Sequence, residues 1–168
     1  AVIGDHVVWP HSGTNNTLHL STWDHVTAAT TSFQVSTTPS PWPSAVTAHD
    51  DRVFVTDIDL HVSDGAAAST TTIGGPIWYL RPNSIGVARG RVFLCYGRPD
   101  GLWTLDPTNT WRCVDTEAWR ILGAFGDRVL YLRTDPWQLF AADGGTVELL
   151  AFGTQDLAQF HVHERRSW

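Results

Sequence analysis

Two histidines near the C-terminal end of the sequence have a residue type and spacing suited to acid–base or metal chemistry. His161 and His163 are two residues apart, so in a β-strand both side chains point to the same side. His49 occupies the column of His163 in the internal repeat described below, and His6 would lie close to them if the two ends of the chain meet. Converging imidazoles could bind a divalent metal or exchange protons near neutral pH.

A hydrogen-bonded or solvated histidine pair explains the same pattern without chemistry. The leading interpretation therefore contains no cofactor and no catalytic residue, and the histidine site is kept as the alternative. In that alternative, the candidate catalytic residues are His49, His161 and His163, and the candidate metal ligands are His6, His161 and His163.

A second set of residues lies in predicted loops and is suited to binding. Tryptophan rings offer flat apolar faces, while carboxylates and guanidinium groups offer hydrogen bonds. This combination fits a sugar, whose apolar and hydroxyl surfaces alternate, or a polar patch on a protein. Tryptophans in short loops can also fold back over a core. The candidate ligand-binding residues are Trp42, Trp119, Trp137, Asp57, Asp59, Arg98, Asp100, Arg133 and Asp135.

An internal repeat must position both sets of residues. The segments DDRVFV (50–55), RGRVFL (89–94) and FGDRVLYL (125–132) share an arginine–valine step. Aligning on that step gives a column of valines with spacings of 46, 39 and 37 residues, at Val7, Val53, Val92 and Val129. A second column contains Leu20, Leu60, Leu102 and Leu139. Repeats of about 40 residues are typical of propellers and solenoids.

The repeat unit is predicted to be all β. Apolar residues do not follow a helical period over ten residues or more, whereas short strand-like runs bounded by Gly, Asp, Pro and Asn recur throughout. Each unit holds four such runs, and four strands per unit are the blade of a β-propeller. The first run is rich in small residues, which suits a strand beside the crowded axis. The predicted blades span approximately 1–43, 44–82, 83–118 and 119–156.

The ends of the chain raise two alternatives for completing the ring. Residues 157–168 align with an inner strand and could close the ring on the first blade, which would remove an exposed edge. Alternatively, the chain is half of a larger propeller that a second copy or a partner chain completes.

One segment resembles a known group of repeats. DLHVSDGAAASTTTIGG (59–75) is similar to the strand–turn–strand of hyalin-type and kelch-like propeller blades, whose motif runs apolar-x-x-x-Asp-Gly-x-x-x-Gly-Thr. The resemblance implies a propeller fold across the whole chain. Residues 1–49 depart most from the motif, because they contain no Asp-Gly turn.

Composition excludes several functions. The formal net charge is −6 and the 11 basic residues, all arginine, form no stripe, so nucleic acid is not an expected partner. Without lysine there is no Schiff-base or phosphate-loop chemistry. Apolar runs are too short for a bilayer span, so the chain is expected to be soluble, secreted or cytoplasmic. Cys95 and Cys113 are expected on strands about 10 Å apart, and therefore as two thiols.

These observations favour a non-enzymatic, lectin-like binding module that presents its loops to a carbohydrate or a protein. The alternatives are an enzyme, a hydrolase, lyase or cyclase with a histidine site at the channel mouth, and a structural part of a larger propeller. Fold alone does not choose among them.

Overall fold

A computed structural model describes residues 1–36, 43–66, 69–77, 79–134 and 136–152. In these ranges the chain is nearly all β, with four antiparallel sheets of four strands and one 3₁₀ turn at Thr14–Asn16. In each sheet the strands follow one another in chain order, which is the arrangement of a propeller blade. The prediction of an all-β propeller chain with four four-stranded blades is confirmed.

The strand bounds are as follows. The first sheet contains β1 (Val2–Ile3), β2 (His6–Ser12), β3 (Leu18–Asp24) and β4 (Thr30–Gln34). The second contains β5 (Ala45–His49), β6 (Arg52–Thr56), β7 (Leu60–Ser63) and β8 (Thr71–Ile73). The third contains β9 (Ser84–Ala88), β10 (Arg91–Cys95), β11 (Leu102–Leu105) and β12 (Trp111–Asp115). The fourth contains β13 (Ala118–Phe125), β14 (Arg128–Arg133), β15 (Gln138–Ala142) and β16 (Val147–Phe152).

A two-residue turn joins the first and second strands of every sheet. The residue pairs that close these turns are Ile3 with His6, His49 with Arg52, Ala88 with Arg91, and Phe125 with Arg128. The first turn residue has a positive φ each time, at Gly4 (50°), Asp50 (51°), Arg89 (50°) and Gly126 (61°). Such turns match the right-handed twist of paired strands. The charged turn and the arginine that recur in the sequence therefore mark the position of this hairpin.

The valine column occupies the second position of the second strand in all four sheets. Val53, Val92 and Val129 are buried, but Val7 is 39% exposed and Val8 is buried instead. Side chains alternate between the two faces of a strand, and only the Val8 face of β2 belongs to an apolar core cluster. Val7 shares the other face with Trp9, which is also 39% exposed. Equal position in the repeat thus does not ensure equal burial.

The chain divides into two compact units, Ala1–Pro82 and Asn83–Trp168. In the first unit, the first two sheets share a core of aliphatic side chains: Ile3, Val8, Leu18, Leu20, Val53 and Val55. Complete burial of such a side chain contributes about 1.5–3 kcal/mol. The first unit is therefore held together by packing between two blades.

In the second unit, the third and fourth sheets pack through larger side chains. Tyr131 and Phe140 of the fourth sheet stack with ring centroids 5.6 Å apart, in one cluster with Phe93 of the third sheet. Gly86 on β9 allows a close approach, because a Cβ atom there would lie 3.1 Å from methyl groups of Ile121 and Val129. This glycine agrees with the expected small residues on the first strand.

Two further expectations can be compared with the structure. Cys95 and Cys113 are free thiols on β10 and β12, with β11 between them, as predicted. Residues 157–168, the expected closing strand, lie outside the described residues, so ring closure stays a prediction. None of the helices in the described ranges is long and apolar enough to cross a membrane.

Candidate functional site

The predicted ligand-binding residues lie mostly in loops between the second and third strands of a sheet. These loops span 13–17, 57–59, 96–101 and 134–137. In each sheet they lie at the end opposite the two-residue hairpin, because consecutive strands are antiparallel. Trp42, Asp135, His161 and His163 lie outside the described residues.

Two of the predicted tryptophans come together in the second unit. The rings of Trp119 and Trp137 pack edge to face, with centroids 5.2 Å apart and an interplanar angle of 85°. Ala118 pairs with Arg133 and Arg120 with Leu132, so Trp119 is the extra residue of a β-bulge, a feature that can redirect a side chain. Both rings are half-buried. The pair therefore keeps aromatic surface in contact with solvent.

A buried carboxylate fixes Arg133 beside this pair. Asp115 Oδ2 accepts hydrogen bonds from Tyr131 OH at 2.6 Å and from Arg133 Nε at 2.8 Å. The Arg133 guanidinium also lies 4.1 Å from the centroid of the Phe140 ring, a cation–π distance. Burial raises the pKa of Tyr131, and the hydrogen bond to Asp115 raises it further. Tyr131 is thus a neutral donor that holds the Asp115 carboxylate in place.

The 96–101 loop packs against the turn that precedes Trp119. Arg98 forms an ion pair with Glu117 at 2.9 Å, and both side chains are nearly half exposed. A Cβ atom on Gly101 would lie 2.1 Å from the carbonyl oxygen of Asp115, so only glycine permits this approach. The backbone carbonyl of Asp100 accepts a hydrogen bond from Trp103 Nε1 at 2.7 Å. Arg98 is therefore carried by a loop that is anchored at its base.

Asp57 has a different environment from the one expected of a ligand-binding residue. Its side chain is 2% exposed and that of His61 is 1% exposed, with 3.2 Å between Asp57 Oδ1 and His61 Nε2. The same carboxylate oxygen accepts a hydrogen bond from the Asp59 amide at 2.8 Å. Thr72 Oγ1 lies 3.0 Å from His61 Nδ1. The carboxylate of Asp57 is thus enclosed by its own chain and is not presented to solvent.

The pKa of Asp57 reflects this enclosure. Burial alone would raise the pKa, but hydrogen bonds from His61 and from the Asp59 amide outweigh it, so the pKa lies below its ordinary value. Asp59 is more exposed, and its Oδ1 accepts a hydrogen bond from the Gly75 amide at 3.3 Å. Sequence reasoning missed His61 as the partner of Asp57, although the two are only four residues apart.

The remaining candidate histidines have carboxylate neighbours. His6 Nε2 lies 3.7 Å from Asp24 Oδ2, and His49 Nε2 lies 3.5 Å from Asp50 Oδ2. Within the part of the chain that the structure describes, no three His, Cys, Asp or Glu side chains are grouped to hold a metal ion. The histidine alternative stays a prediction, since His161 and His163 fall outside that part.

Sequence reasoning also missed a cleft of about 400 Å³ in the first unit. It lies between the outer strands of the first sheet and the turn after β7, and it contains His6. No motif signals it, because its walls come from segments about 40 residues apart.

No protein-family model matches this chain, and no curated protein matches it by sequence. Solved structures do match. A catalytically inactive virginiamycin B lyase from Staphylococcus aureus, with quinupristin, is 16% identical with a TM-score of 0.54, over 73% of this chain and 46% of that one. An acylaminoacyl peptidase from Pyrococcus horikoshii is 15% identical with a TM-score of 0.59, over 88% and 26%.

PorZ, a surface component of the type-IX secretion system of Porphyromonas gingivalis, is 14% identical with a TM-score of 0.54, over 85% of this chain and 22% of that one. The chain thus spans less than half the length of each of these three proteins. At such identities the likeness concerns the fold alone. It agrees with the four sheets described above: the chain has the fold of β-propeller blades.

Proposed function

We propose that this chain is a non-enzymatic recognition module that binds carbohydrate at the Trp119–Trp137 pair. The observation that carries the proposal is the perpendicular, half-buried arrangement of these two rings. A ring held by an edge-to-face partner keeps its orientation at low entropic cost on binding, and the C–H face of a sugar packs on such a ring.

Polar groups beside the pair suit the hydroxyl groups of a sugar. Arg133 is fixed through Nε by Asp115, and a guanidinium has further N–H donors directed away from Nε. The Arg98–Glu117 ion pair supplies a donor and an acceptor that both reach solvent. A small number of fixed polar groups around aromatic surface is typical of small-ligand sites.

The environment of Asp115 favours binding over proton transfer. Its Oδ2 accepts two side-chain hydrogen bonds, and its Oδ1 accepts one from the Glu117 amide at 2.9 Å. The side chain of Asp115 is also buried, so both of its oxygens are occupied by groups of its own chain and are not presented to a substrate. Its role in the proposal is to hold Arg133.

The test begins with a glycan array probed with the purified chain, followed by calorimetric titration of the oligosaccharides that bind. Trp119→Ala and Trp137→Ala should each weaken binding by at least about tenfold, because truncation of a central aromatic residue at a binding site commonly costs more than 1.4 kcal/mol. Trp119→Phe should retain most of the affinity. The matched control is Trp23→Ala in the first unit, since Trp23 is a similarly exposed tryptophan at 37%.

Two results would contradict the proposal. One is binding that is unchanged in Trp119→Ala and Trp137→Ala while both variants remain folded by circular dichroism. The other is the absence of any bound glycan together with specific capture of a protein partner that Trp119→Ala abolishes, which would assign the same surface to protein recognition.

A further inference from the structure

The cleft in the first unit is separate from the residues of the proposed carbohydrate site. One wall is formed by the first sheet and the turn between β3 and β4, and the other by the turn after β7. Its volume of about 400 Å³ is within the usual range of small-molecule sites. The lining residues are His6, Thr22, Asp24, Thr27, Ala29, Thr31, Asp64, Gly65 and Ala66.

Two ionised carboxylates face this cleft. Asp24 Oδ1 accepts hydrogen bonds from the amides of Thr27 and Val26 at 3.1 and 2.8 Å, and these bonds hold the pKa of Asp24 below its ordinary value. The Ser69 hydroxyl and the Ala66 amide likewise lower the pKa of Asp64. The described residues that line the cleft include no arginine, so these two carboxylates give it negative charge at neutral pH.

Within the described residues, the second oxygen of Asp24 lies near His6, and the Thr27 side chain also contributes to lowering the pKa of Asp24. His6 Nε2 lies 3.7 Å from Asp24 Oδ2, which is beyond hydrogen-bond distance. Arg52 makes a minor contribution to lowering the pKa of Asp64. Asp24 Oδ2 is therefore an acceptor that a bound cation could use.

Thr22 is an independent indication of a ligand. Its side chain is 7% exposed, and its Oγ1 is buried with no hydrogen-bond partner within the described part of the chain. Buried hydroxyls in native proteins nearly always have a partner. A Cβ atom on Gly65, which also lines the cleft, would lie 3.9 Å from Thr22 Oγ1. Thr22 and Gly65 both line the cleft, so the hydroxyl lies at its wall, where a ligand atom could satisfy it.

We propose that this cleft binds a small organic cation that carries an ammonium or guanidinium group. Such a group has only N–H donors, and the cleft offers acceptors: Oδ2 of Asp24, which makes only a long contact to His6, the Thr22 hydroxyl and the hydroxyls of Thr27 and Thr31. A calcium ion requires six or more oxygen ligands at fixed distances, whereas an ammonium group requires two or three acceptors. The acceptors of the cleft therefore fit an organic cation better than they fit a calcium ion.

Agmatine, which carries both cationic groups, is a suitable probe for nuclear magnetic resonance titration of the ¹⁵N-labelled chain at constant ionic strength. It should produce saturable shifts at the amides of Thr22, Asp24 and Gly65. 4-Guanidinobutyrate has a carboxylate in place of the terminal aminomethyl group of agmatine and should bind at least about tenfold more weakly, because a like charge faces Asp24 and Asp64.

Two variants test the assigned contacts. Asp24→Asn removes the charge but keeps an oxygen that can accept from the Val26 and Thr27 amides, and it should weaken agmatine binding by at least about tenfold. Thr22→Val has nearly the same shape and removes only the unpartnered hydroxyl; it should weaken binding by about tenfold while the chain remains folded. The control is Asp51→Asn, which changes an exposed carboxylate in the same unit that does not line the cleft.

The proposal is overturned if agmatine gives no saturable shifts, or if 4-guanidinobutyrate binds equally well. It is also overturned if Asp24→Asn and Thr22→Val both bind agmatine as the unaltered chain does. Saturation of the same amides by calcium chloride, with agmatine inactive, would make this a metal site instead.

Discussion

Substitution of Asp57 can distinguish a structural role from a ligand-binding role. The sequence predicts that Asp57 binds a ligand, whereas the structure encloses its side chain. Replacing Asp57 with alanine should destabilise the chain by about 2–3 kcal/mol, because buried hydrogen-bonding groups that lose their partner typically cost about 1–3 kcal/mol. The variant loses the contacts to His61 at 3.2 Å and to the Asp59 amide at 2.8 Å. It also leaves His61, at 1% exposure, with an unpaired ring nitrogen.

The matched variant is Asp57→Asn. Its amide oxygen can still accept from the Asp59 amide, but the charge opposite His61 is gone, so we expect a loss of about 1–2 kcal/mol. Small domains are stable by about 5–15 kcal/mol, and either loss is therefore measurable by urea denaturation followed by tryptophan fluorescence. A double-mutant cycle with His61→Leu should give a coupling energy above about 1 kcal/mol.

The effect of Asp57 should also depend on pH. Its pKa is lower in the folded chain than in the unfolded chain, so in the intervening window the unfolded state binds more protons and stability rises with pH. The contribution is complete above the unfolded value of about 3.9 and is lost as pH falls through the folded value. Asp57→Ala should therefore lose less stability than the unaltered chain when the pH falls from about 5 to 3.

Two results for the Asp57 variants would contradict this prediction. If Asp57→Ala unfolds within about 0.5 kcal/mol of the unaltered chain but loses ligand binding, the enclosed arrangement is wrong and Asp57 is a binding residue. Destabilisation without coupling to His61 would equally refute the role assigned to the Asp57–His61 hydrogen bond.

Three other outcomes are expected. Gly101→Ala should lower the free energy of unfolding in urea by at least about 3 kcal/mol, because its Cβ would overlap backbone atoms. Gly126→Ala has open space around the Cβ and should lower it by only about 1 kcal/mol, because of the positive φ. Cys95 should not react with a thiol reagent at pH 8 while the chain is folded, since burial raises its pKa to about 12. The partly exposed Cys113 should react slowly, because burial raises its pKa too. Thr22→Val should raise the melting temperature and add about 1 kcal/mol of stability, as it removes a buried hydroxyl without a partner.

The blades could be predicted because their signals are local. A two-residue hairpin with a positive φ, as at Gly126, leaves its mark in adjacent residues, and the strand that follows it is apolar. Whether a residue is buried depends instead on segments that are distant in the sequence. Val7 and Val53 have the same place in the repeat, but only the face of Val53 lies against another sheet of its unit.

The candidate site could be predicted only in part for the same reason. Trp119 and Trp137 were both predicted to lie in loops, but Trp119 is the bulge residue of β13. Their edge-to-face contact depends on this bulge, which has no sequence signal. Whether a loop aspartate such as Asp57 faces solvent or a buried histidine depends on the fold of the loop. Thr22 was not predicted at all, because an unpartnered hydroxyl can be recognised only once its surroundings are known.

The four two-residue hairpins have a consequence for protein engineering. Each hairpin sets the register of the first and second strands of its sheet, and the loop at the opposite end ranges from three residues at 57–59 to six at 96–101. The loops at 57–59 and 96–101 are fixed by the buried Asp57 and the close approach at Gly101, so the 13–17 loop is the one into which a foreign peptide could be grafted while the hairpins are retained. The chain would then serve as a small display scaffold in which specificity is selected from loop libraries.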